Sequence, residues 1–368
     1  MKFKFHIVPQ EHPLIRYQHE SVALCEGLLE LGFEFYGSDN YWFDAKNNNY
    51  LIKKMPYNFN SDVDVYSTYY FRAFPEEILN VDYKKINVFI DREDGLYGEY
   101  GNPNYKKFNL ILRTHYNKNI NYNYYNKNIK PWAFGLSNRI INSINESYKE
   151  PIIDRTFISF RLSHDLRSKA VEEMSPVLAK KHPMFNAITM HIETKEALAL
   201  SEIDQSYWEQ SGHRHDPAYY KLLNSSLLTY SFGGFIFTKP FATNRIVKQF
   251  QSLYKIKADI LTKLQKDNSS CHFIDQYDSW RLWESFYANT CPIHMNFDNW
   301  DWVLPVMPIN KVHYWGVSGF NFKESAEELL NIDNRAIMEI GNAGKQWSIE
   351  NYSPKATALR LIEMIKKI

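Results

Sequence analysis

The chain has 368 residues, a length typical of two domains of about 150 residues each. Its 43 basic residues nearly balance 42 acidic ones, which argues against a protein that wraps duplex nucleic acid. Three widely spaced cysteines exclude a disulfide framework and indicate a reducing compartment. No segment approaches the ~18 apolar residues of a membrane span, and the alternating N-terminus predicts a strand rather than a signal peptide. We therefore expect a cytoplasmic protein without a transmembrane segment.

The first half of the chain alternates short apolar segments with helical or polar ones. A helix is predicted over residues 13–31, ended by Gly32. Strands are predicted over residues 4–8, 33–36, 63–67, 86–90, 110–113 and 132–136. This alternation indicates a parallel sheet covered on both faces, as in Rossmann-like domains. No GxGxxG follows the first strand, so a dinucleotide cofactor is not expected.

The second half repeats this alternation after a polar stretch, residues 142–155, which we interpret as a linker. It predicts strands over 157–160, 188–191, 226–230 and 292–296, and helices over 167–180, 217–224, 246–264, 278–289 and 354–367. The fold class is therefore α/β, with two Rossmann-like domains that face one cleft. We assign residues 1–145 to the first domain and 152–350 to the second.

The most informative segment spans residues 278–294. An aromatic-rich helix carries Arg281 and Glu284 three residues apart, and a small-residue turn leads to a strand that starts with Pro292. This segment resembles the donor-binding segment of glycosyltransferases of the GT-B type, in which a helix Glu binds the ribose of the nucleotide. The resemblance assigns that role to Glu284, since a carboxylate accepts hydrogen bonds from two hydroxyls. A surface ion pair between Arg281 and Glu284 is the alternative.

Two further segments share this resemblance. Residues 157–167 look like the first strand, loop and helix of the donor domain in exostosin-like enzymes, which implies that Arg161 or Arg167 binds the diphosphate beside helix N–H groups. A solvated helix start is the alternative, and the usual loop glycine is absent. Residues 214–234 carry Tyr219, Tyr220 and Gly233, which the resemblance places near the nucleotide base, although the glycines suit a plain turn equally well.

An acidic stretch follows a predicted buried strand in the first half. Asp91 and Asp94 lie where open α/β sheets bind ligands, beyond the carboxyl end of a strand. The stretch resembles one in bacterial exostosin-like and CgeB-like sequences, and an inverting enzyme needs one general base. A rival candidate, which follows the first strand in the same sense, consists of His6, Gln10, Glu11 and His12. An acidic turn without catalytic function is the alternative for residues 91–95.

Metal ligands are not predicted. Asp62-Val63-Asp64 matches the DxD of metal-dependent GT-A transferases, but it opens a strand, so its carboxylates should lie away from the ligand edge. His213, His215 and Asp216 lack further ligands at fixed spacing and are interpreted as polar loop residues. Gln276 stands where many retaining GT-B enzymes carry a second Glu, so the stereochemistry stays open.

The sequence thus predicts a metal-independent glycosyltransferase, a hexosyl- or pentosyltransferase without a cofactor. Its donor is a nucleotide-diphosphate sugar and its acceptor a hydroxyl of a glycan or glycoconjugate. A nucleotide-sugar epimerase of GT-B shape and a non-catalytic sugar-binding protein are the alternatives. The resemblance also implies that the last helix, within residues 351–368, crosses back to pack on the N-terminal domain.

Overall fold

The structure is a computed structural model that describes residues 1–14, 16–94, 103–120, 122, 127–147, 152–186, 200–238 and 272–368. The predicted strand at 188–191 and the predicted helix at 246–264 lie outside these ranges. Among the helices of the described ranges, none is long and apolar enough to cross a membrane.

The first half is built on a parallel sheet of six strands in the order β2-β1-β5-β6-β7-β8. Its elements are β1 (Lys2–Phe5), α1 (His19–Glu30), β2 (Glu34–Gly37), β3 (Tyr41–Asp44), β4 (Asn49–Ile52), β5 (Val63–Ser67), α2 (Thr68–Ala73), β6 (Ile86–Asp91), β7 (Leu110–Arg113), β8 (Ile129–Pro131) and α3 (Asn138–Glu146). Short 3₁₀ turns occupy Pro75–Asn80 and Pro103–Lys107.

Three predicted elements of this half need correction. Strand β1 covers Lys2–Phe5 rather than residues 4–8, because the N–H groups of Ile7 and Val8 bond to the side chains of Ser38 and Gln18. Helix α1 begins at His19 rather than residue 13, because the Gln18 side chain bonds both the N–H and the carbonyl of Val8 and holds the preceding residues as a loop. The last strand is Ile129–Pro131, since the chain leaves the sheet after the Trp132 N–H bonds to the Arg113 carbonyl. The antiparallel hairpin β3–β4 was not predicted.

The second half contains a parallel sheet of five strands in the order β10-β9-β11-β14-β15 and a small antiparallel pair, β12-β13. Its elements are β9 (Ile153–Ile158), α4 (Asp165–Leu178), β10 (Met184–Asn186), α5 (Glu202–Gln210), α6 (Pro217–Asn224), β11 (Ser226–Tyr230), β12 (Ile236–Thr238), β13 (His272–Ile274), α7 (Trp280–Tyr287), β14 (Cys291–Met295), β15 (Trp315–Val317), α8 (Phe322–Leu330), α9 (Asn334–Tyr352) and α10 (Pro354–Ile365).

The stretch interpreted as a linker is largely regular structure. Helix α3 continues to Glu146 and β9 begins at Ile153. Ile140 and Ile144 of α3 pack in the core of the second half, beside Tyr220. Helices α8 and α9 were not predicted, and residues 344–352 before the last helix form the end of α9.

The final helix crosses back to the first half, as predicted. Ala358, Leu361 and Ile362 of α10 are buried in the core formed by the first sheet and α1. At Gly27 of α1 the two helices approach so closely that a Cβ atom would lie 2.0 Å from the Pro354 carbonyl oxygen. A glycine is therefore required at this crossing.

We predict that Gly27→Ala destabilises the protein by on the order of 1–3 kcal/mol, the usual cost of overpacking, although alanine favours a helix. The reason is that the overlap involves backbone atoms of α10, which must shift as a unit. Thermal and urea unfolding measure the change. Glu30→Ala, at an exposed position of the same helix, is the matched control and should leave stability within about 0.5 kcal/mol. A Gly27→Ala protein as stable as the control would contradict this packing.

Candidate functional site at the second sheet

The candidate site lies where the order of strands reverses in the second sheet. Strands β9 and β11 are neighbours there, with β10 on the far side of β9, and ligands of open α/β sheets bind beyond the carboxyl ends of such strands. The loop before α4 follows β9, and Phe232-Gly233-Gly234 follows β11. Arg281, in the first turn of α7, donates from Nε to the Ser159 carbonyl at 3.1 Å. The structure thus brings the segments 157–167, 231–234 and 278–284 together.

Two guanidinium groups supply positive charge beyond the carboxyl ends of β9 and β11, a region that we call the crevice. Arg167 is 8% exposed and donates from Nε to the Phe232 carbonyl at 3.3 Å. Burial and the nearby Arg281 charge lower the pKa of Arg167 to about 10, so it stays protonated at neutral pH. Neither guanidinium forms an ion pair with a carboxylate in the described part of the chain. The crevice therefore holds positive charge that an anion can neutralise.

The start of α4 adds hydrogen-bond donors to the same crevice. His164 is the N-cap residue, but its side chain caps none of the first-turn N–H groups. Its ring stacks on Phe235, with ring centres 4.4 Å apart. Burial and the charges of Arg167 and Arg281 lower the pKa of His164 to about 4, so the ring is neutral at pH 7. Arg161 lies exposed in the loop between β9 and α4. The N–H groups of a helix start beside arginines are typical of phosphate sites.

Glu284 belongs to a buried hydrogen-bonded cluster. The Tyr219 hydroxyl donates to one carboxylate oxygen at 2.8 Å and the Tyr220 hydroxyl to the other at 3.2 Å. Arg139 of α3 donates to the Tyr220 hydroxyl at 2.5 Å. The alternative of a surface ion pair with Arg281 is wrong, because Glu284 is 5% exposed and the Arg281 Nε bonds to a backbone carbonyl. The sequence did not reveal Arg139, since its partner lies 81 residues away.

The glycines after β11 are explained by packing inside the protein. A Cβ atom on Gly233 would lie 2.6 Å from the Gln276 carbonyl oxygen, and one on Gly234 would lie 2.8 Å from the Gln276 side-chain oxygen. Gln276 itself has a φ of +55°. This close approach sets the segment before α7 against the end of β11. Contact of Gly233 with a ligand stays a prediction.

The two predicted acids of the first half have different surroundings. Asp91 ends β6 and pairs with Arg113 at 2.9 Å, with both side chains at most 1% exposed. Asp94 is 70% exposed, and its Oδ1 lies 3.8 Å from Nε2 of the buried His115. Nδ1 of His115 accepts the N–H of Asp278, so Nε2 carries the proton and lies towards Asp94. Of the two acids, Asp94 is the one accessible to a substrate.

His12, the rival candidate, is half-buried in the loop after β1. Its Nδ1 accepts the Leu14 N–H at 3.1 Å, and its ring lies with its centre 5.0 Å from that of Phe74. These local contacts fix the ring within its own loop. They leave open whether His12 reaches a substrate, so its catalytic role stays a prediction.

The start of α7 also joins the two halves. The Asp278 carboxylate accepts the N–H of Phe134 at 2.8 Å and the indole N–H of Trp283 at 2.5 Å. Trp280 packs against Tyr17 and His19 of the first half, with ring centres 5.0 and 4.6 Å apart. The crevice is therefore bounded by residues from both halves.

The DxD-like segment lies at the amino end of β5, away from the carboxyl ends of the strands, as predicted. Asp62 precedes β5 and accepts the Lys2 N–H at 2.7 Å. Asp64 is buried and accepts from the Ser61 hydroxyl at 2.5 Å and from the His6 ring. In the described ranges no group of three or more His, Cys, Asp or Glu side chains is arranged to hold a metal. Metal independence of the reaction stays a prediction.

The histidines before α6 make local contacts, in agreement with their interpretation as loop residues. His213 stacks on Trp208, with ring centres 3.7 Å apart. His215 pairs with Asp204 at 2.9 Å. Asp216 caps α6 by accepting the Ala218 N–H.

Comparisons with known proteins identify the fold of the chain. No protein-family model matches the chain, and no curated protein sequence matches it. A glycosyltransferase from Rickettsia africae ESF-5 is similar over 100% of this chain and 98% of its own, with 10% identity and a TM-score of 0.51. Anabaena Alr3699/HepE in complex with UDP-glucose is similar over 100% of both chains, with 9% identity and a TM-score of 0.51. The chain has the GT-B glycosyltransferase fold. This confirms the predicted fold class.

We predict that the buried Asp278 makes the stability of this GT-B protein depend on pH. Burial raises the pKa of Asp278 to about 7, against ~3.9 in an unfolded chain. Folding therefore favours the protonated form, and this contribution to stability is lost as pH rises from about 4 to 7. Asp278→Asn should be less stable at pH 4–5 by about 1–3 kcal/mol, because one donor loses its acceptor.

The pH profile of the unfolding free energy should also be flatter in this variant between about pH 4 and 7. Part of the slope should remain, since burial raises the pKa of Glu26 to about 8 in both proteins. Urea unfolding at a series of pH values measures both effects. Glu339→Gln, at an exposed position, is the control. An Asp278→Asn profile parallel to that of the parent protein would contradict the assignment.

Proposed function

We propose that this chain is a glycosyltransferase that moves a hexosyl or pentosyl group from a nucleotide-diphosphate sugar to a hydroxyl of a glycan or other acceptor, without a metal ion. The observation that carries the proposal is the pair Arg167 and Arg281 beside the uncapped start of α4, at the strand-order reversal of the second sheet. The GT-B fold and the UDP-glucose bound to Anabaena HepE support a nucleotide sugar as the donor.

The diphosphate is the leaving group in this reaction. As the acceptor hydroxyl bonds to the anomeric carbon, the bond from that carbon to the diphosphate oxygen breaks and its electrons pass to the diphosphate. The two guanidiniums and the N–H groups of α4 stabilise this charge where a metal ion does so in DxD enzymes. Arg161, which is exposed in the loop before α4, adds a third cation in this proposal.

The ribose would lie against Glu284. Each carboxylate oxygen has a second lone pair beyond the one used by a tyrosine hydroxyl, so the cluster can still accept from a ribose diol. Tyr219 and Tyr220 then fix the orientation of the carboxylate. In an inverting reaction Asp94 is the general base that removes the proton of the acceptor hydroxyl, and His115 Nε2 lies 3.8 Å from its carboxylate.

We predict that two substitutions distinguish the residue that binds the diphosphate from the residue that binds the ribose. Arg281→Ala should weaken binding of both UDP and inorganic pyrophosphate at least tenfold, because a charge-assisted hydrogen bond contributes ~1.5–3 kcal/mol. Glu284→Gln should weaken UDP but leave pyrophosphate unchanged, since only UDP carries the ribose. Calorimetric titration in buffer with EDTA measures all four affinities and excludes a divalent ion as mediator. Arg335→Ala, on the exposed face of α9, is the control.

Two outcomes would contradict these assignments. Tight binding of UDP by folded Arg281→Ala would remove the arginine from the diphosphate site. UDP binding that disappears with EDTA and returns with manganese would restore the metal-dependent alternative.

We predict that Asp94→Asn lowers the rate of sugar transfer by about 10²–10⁴, the usual contribution of a general base, and leaves the affinity for UDP within about twofold. Initial rates with a nucleotide sugar and an acceptor panel, together with UDP titration, test this. Asp91→Asn is a poor substitute, because it breaks a buried ion pair and would also lower stability. Transfer by Asp94→Asn at the parent rate would rule out Asp94 as the base.

A further inference from the structure

A second group of arginines surrounds Trp280, next to the diphosphate site. The guanidinium carbon of Arg214 lies 5.5 Å from the centre of the Trp280 ring, and that of Arg92 lies 5.7 Å from it. Tyr17 packs on the same indole, and the Arg139 guanidinium lies 5.5 Å from the Tyr17 ring. Trp280 and Arg281 are consecutive residues, so these arginines and the diphosphate site share the beginning of α7.

Arg92 is neutralised inside the protein. It pairs with the buried Glu20 at 2.8 Å and also donates to the Tyr17 carbonyl. Its guanidinium is further covered by Tyr69, whose ring centre is 4.4 Å away. Arg92 therefore holds Trp280 in place and adds little net charge to the cleft.

Arg139 and Arg214 are not neutralised in the same way. Arg139 is 4% exposed, and its Nε and Nη2 have no hydrogen-bond partner among the residues that the structure describes. Arg214 is exposed and donates only to the carbonyls of Ser211 and Gly212 within the described ranges. Buried donors without acceptors are costly, so Arg139 needs a partner from water or from a ligand.

The nearby carboxyl groups leave this positive charge in excess. Glu284 interacts with Arg139 through the Tyr220 hydroxyl, but one carboxylate cannot compensate the charges of two arginines. Burial raises the pKa of Glu26 to about 8, so this carboxyl is largely uncharged at neutral pH. Desolvation and the nearby charges of Arg92, Arg139 and Arg16 lower the pKa of Arg214.

We propose that Arg214 and Arg139 bind an anionic group, a phosphate or a carboxylate, that belongs to the acceptor substrate. The inference rests on the proposed function, in which Arg167 and Arg281 are occupied by the diphosphate of the donor. The diphosphate charge of the donor is then already neutralised by Arg167 and Arg281, so Arg139 and Arg214 require a different anion.

Calorimetry on the UDP-saturated protein tests this proposal. The probes are α-D-glucose 1-phosphate, D-glucuronate and the neutral D-glucose. At least one anionic probe should bind about tenfold or more tightly than glucose, and the preferred probe tells phosphate from carboxylate. Arg214→Gln should remove this preference by lowering the affinity for the anionic probe about tenfold, the loss expected for one charge-assisted hydrogen bond. Arg335→Gln, which removes an equal charge on the exposed face of α9, should retain the preference.

Equal affinities for charged and neutral probes would overturn the proposal, as would an anion preference that Arg214→Gln retains. Failure of the proposed function can be distinguished from failure of this inference, since UDP itself would then not bind. In that case the same titrations without UDP still decide whether Arg214 belongs to an anion site. Arg281→Ala, saturated with UDP at higher concentration, should keep the preference and shows that the anion does not occupy the diphosphate site.

Discussion

The Asp278 carboxylate is the interaction on which the arrangement of the cleft depends. It accepts the backbone N–H of Phe134 from the first half and the indole N–H of Trp283 from α7. It thereby fixes both the position of α7 and its rotation about the helix axis. With the helix so fixed, Trp280 packs on the first half, Arg281 lies against the carbonyl after β9, and Glu284 meets the tyrosines of α6. One short helix thus supplies three residues of the candidate site.

Two other contacts join the halves at a distance from this point. The Gln210 side chain of α5 bonds both the N–H and the carbonyl of Phe43 in the β3–β4 hairpin. Helix α10 packs its apolar face on α1, where Gly27 permits close approach. Together with Asp278, these contacts hold the two sheets so that Arg92 and His115, beyond β6 and β7, contact the start of α7. The same helix start contacts Ser159 beyond β9. A transferase needs this arrangement, because donor and acceptor must meet in one orientation.

The sequence predicted those elements whose signals are local. Strands Val63–Ser67, Leu110–Arg113 and Ser226–Tyr230 and helix Pro217–Asn224 have the predicted bounds, since each is a short apolar run or a capped helix between clear breaks. The β3–β4 hairpin turns at Asn48 without the usual Asn-Gly signal and was therefore missed. The end of helix α3 was interpreted as part of a linker because most residues of this helix are polar.

Site residues that belong to a recognisable sequence motif could be predicted. Site residues that join the site only through long-range contacts could not. Arg167, Arg281 and Glu284 follow from segments of known type, and the structure brings all three to one region. Arg139 and His115 have ordinary neighbours in sequence. They become significant only through Tyr220 and through the backbone of Asp278, which lie far along the chain.

A crystal structure of the protein with UDP would show directly where the donor binds. We expect the diphosphate to lie within hydrogen-bond distance of Arg281 or Arg167 and of the first N–H groups of α4, with the ribose hydroxyls against Glu284. UDP bound beyond the carboxyl ends of β1 and β5 in the first sheet, or with its phosphates remote from both arginines, would contradict it.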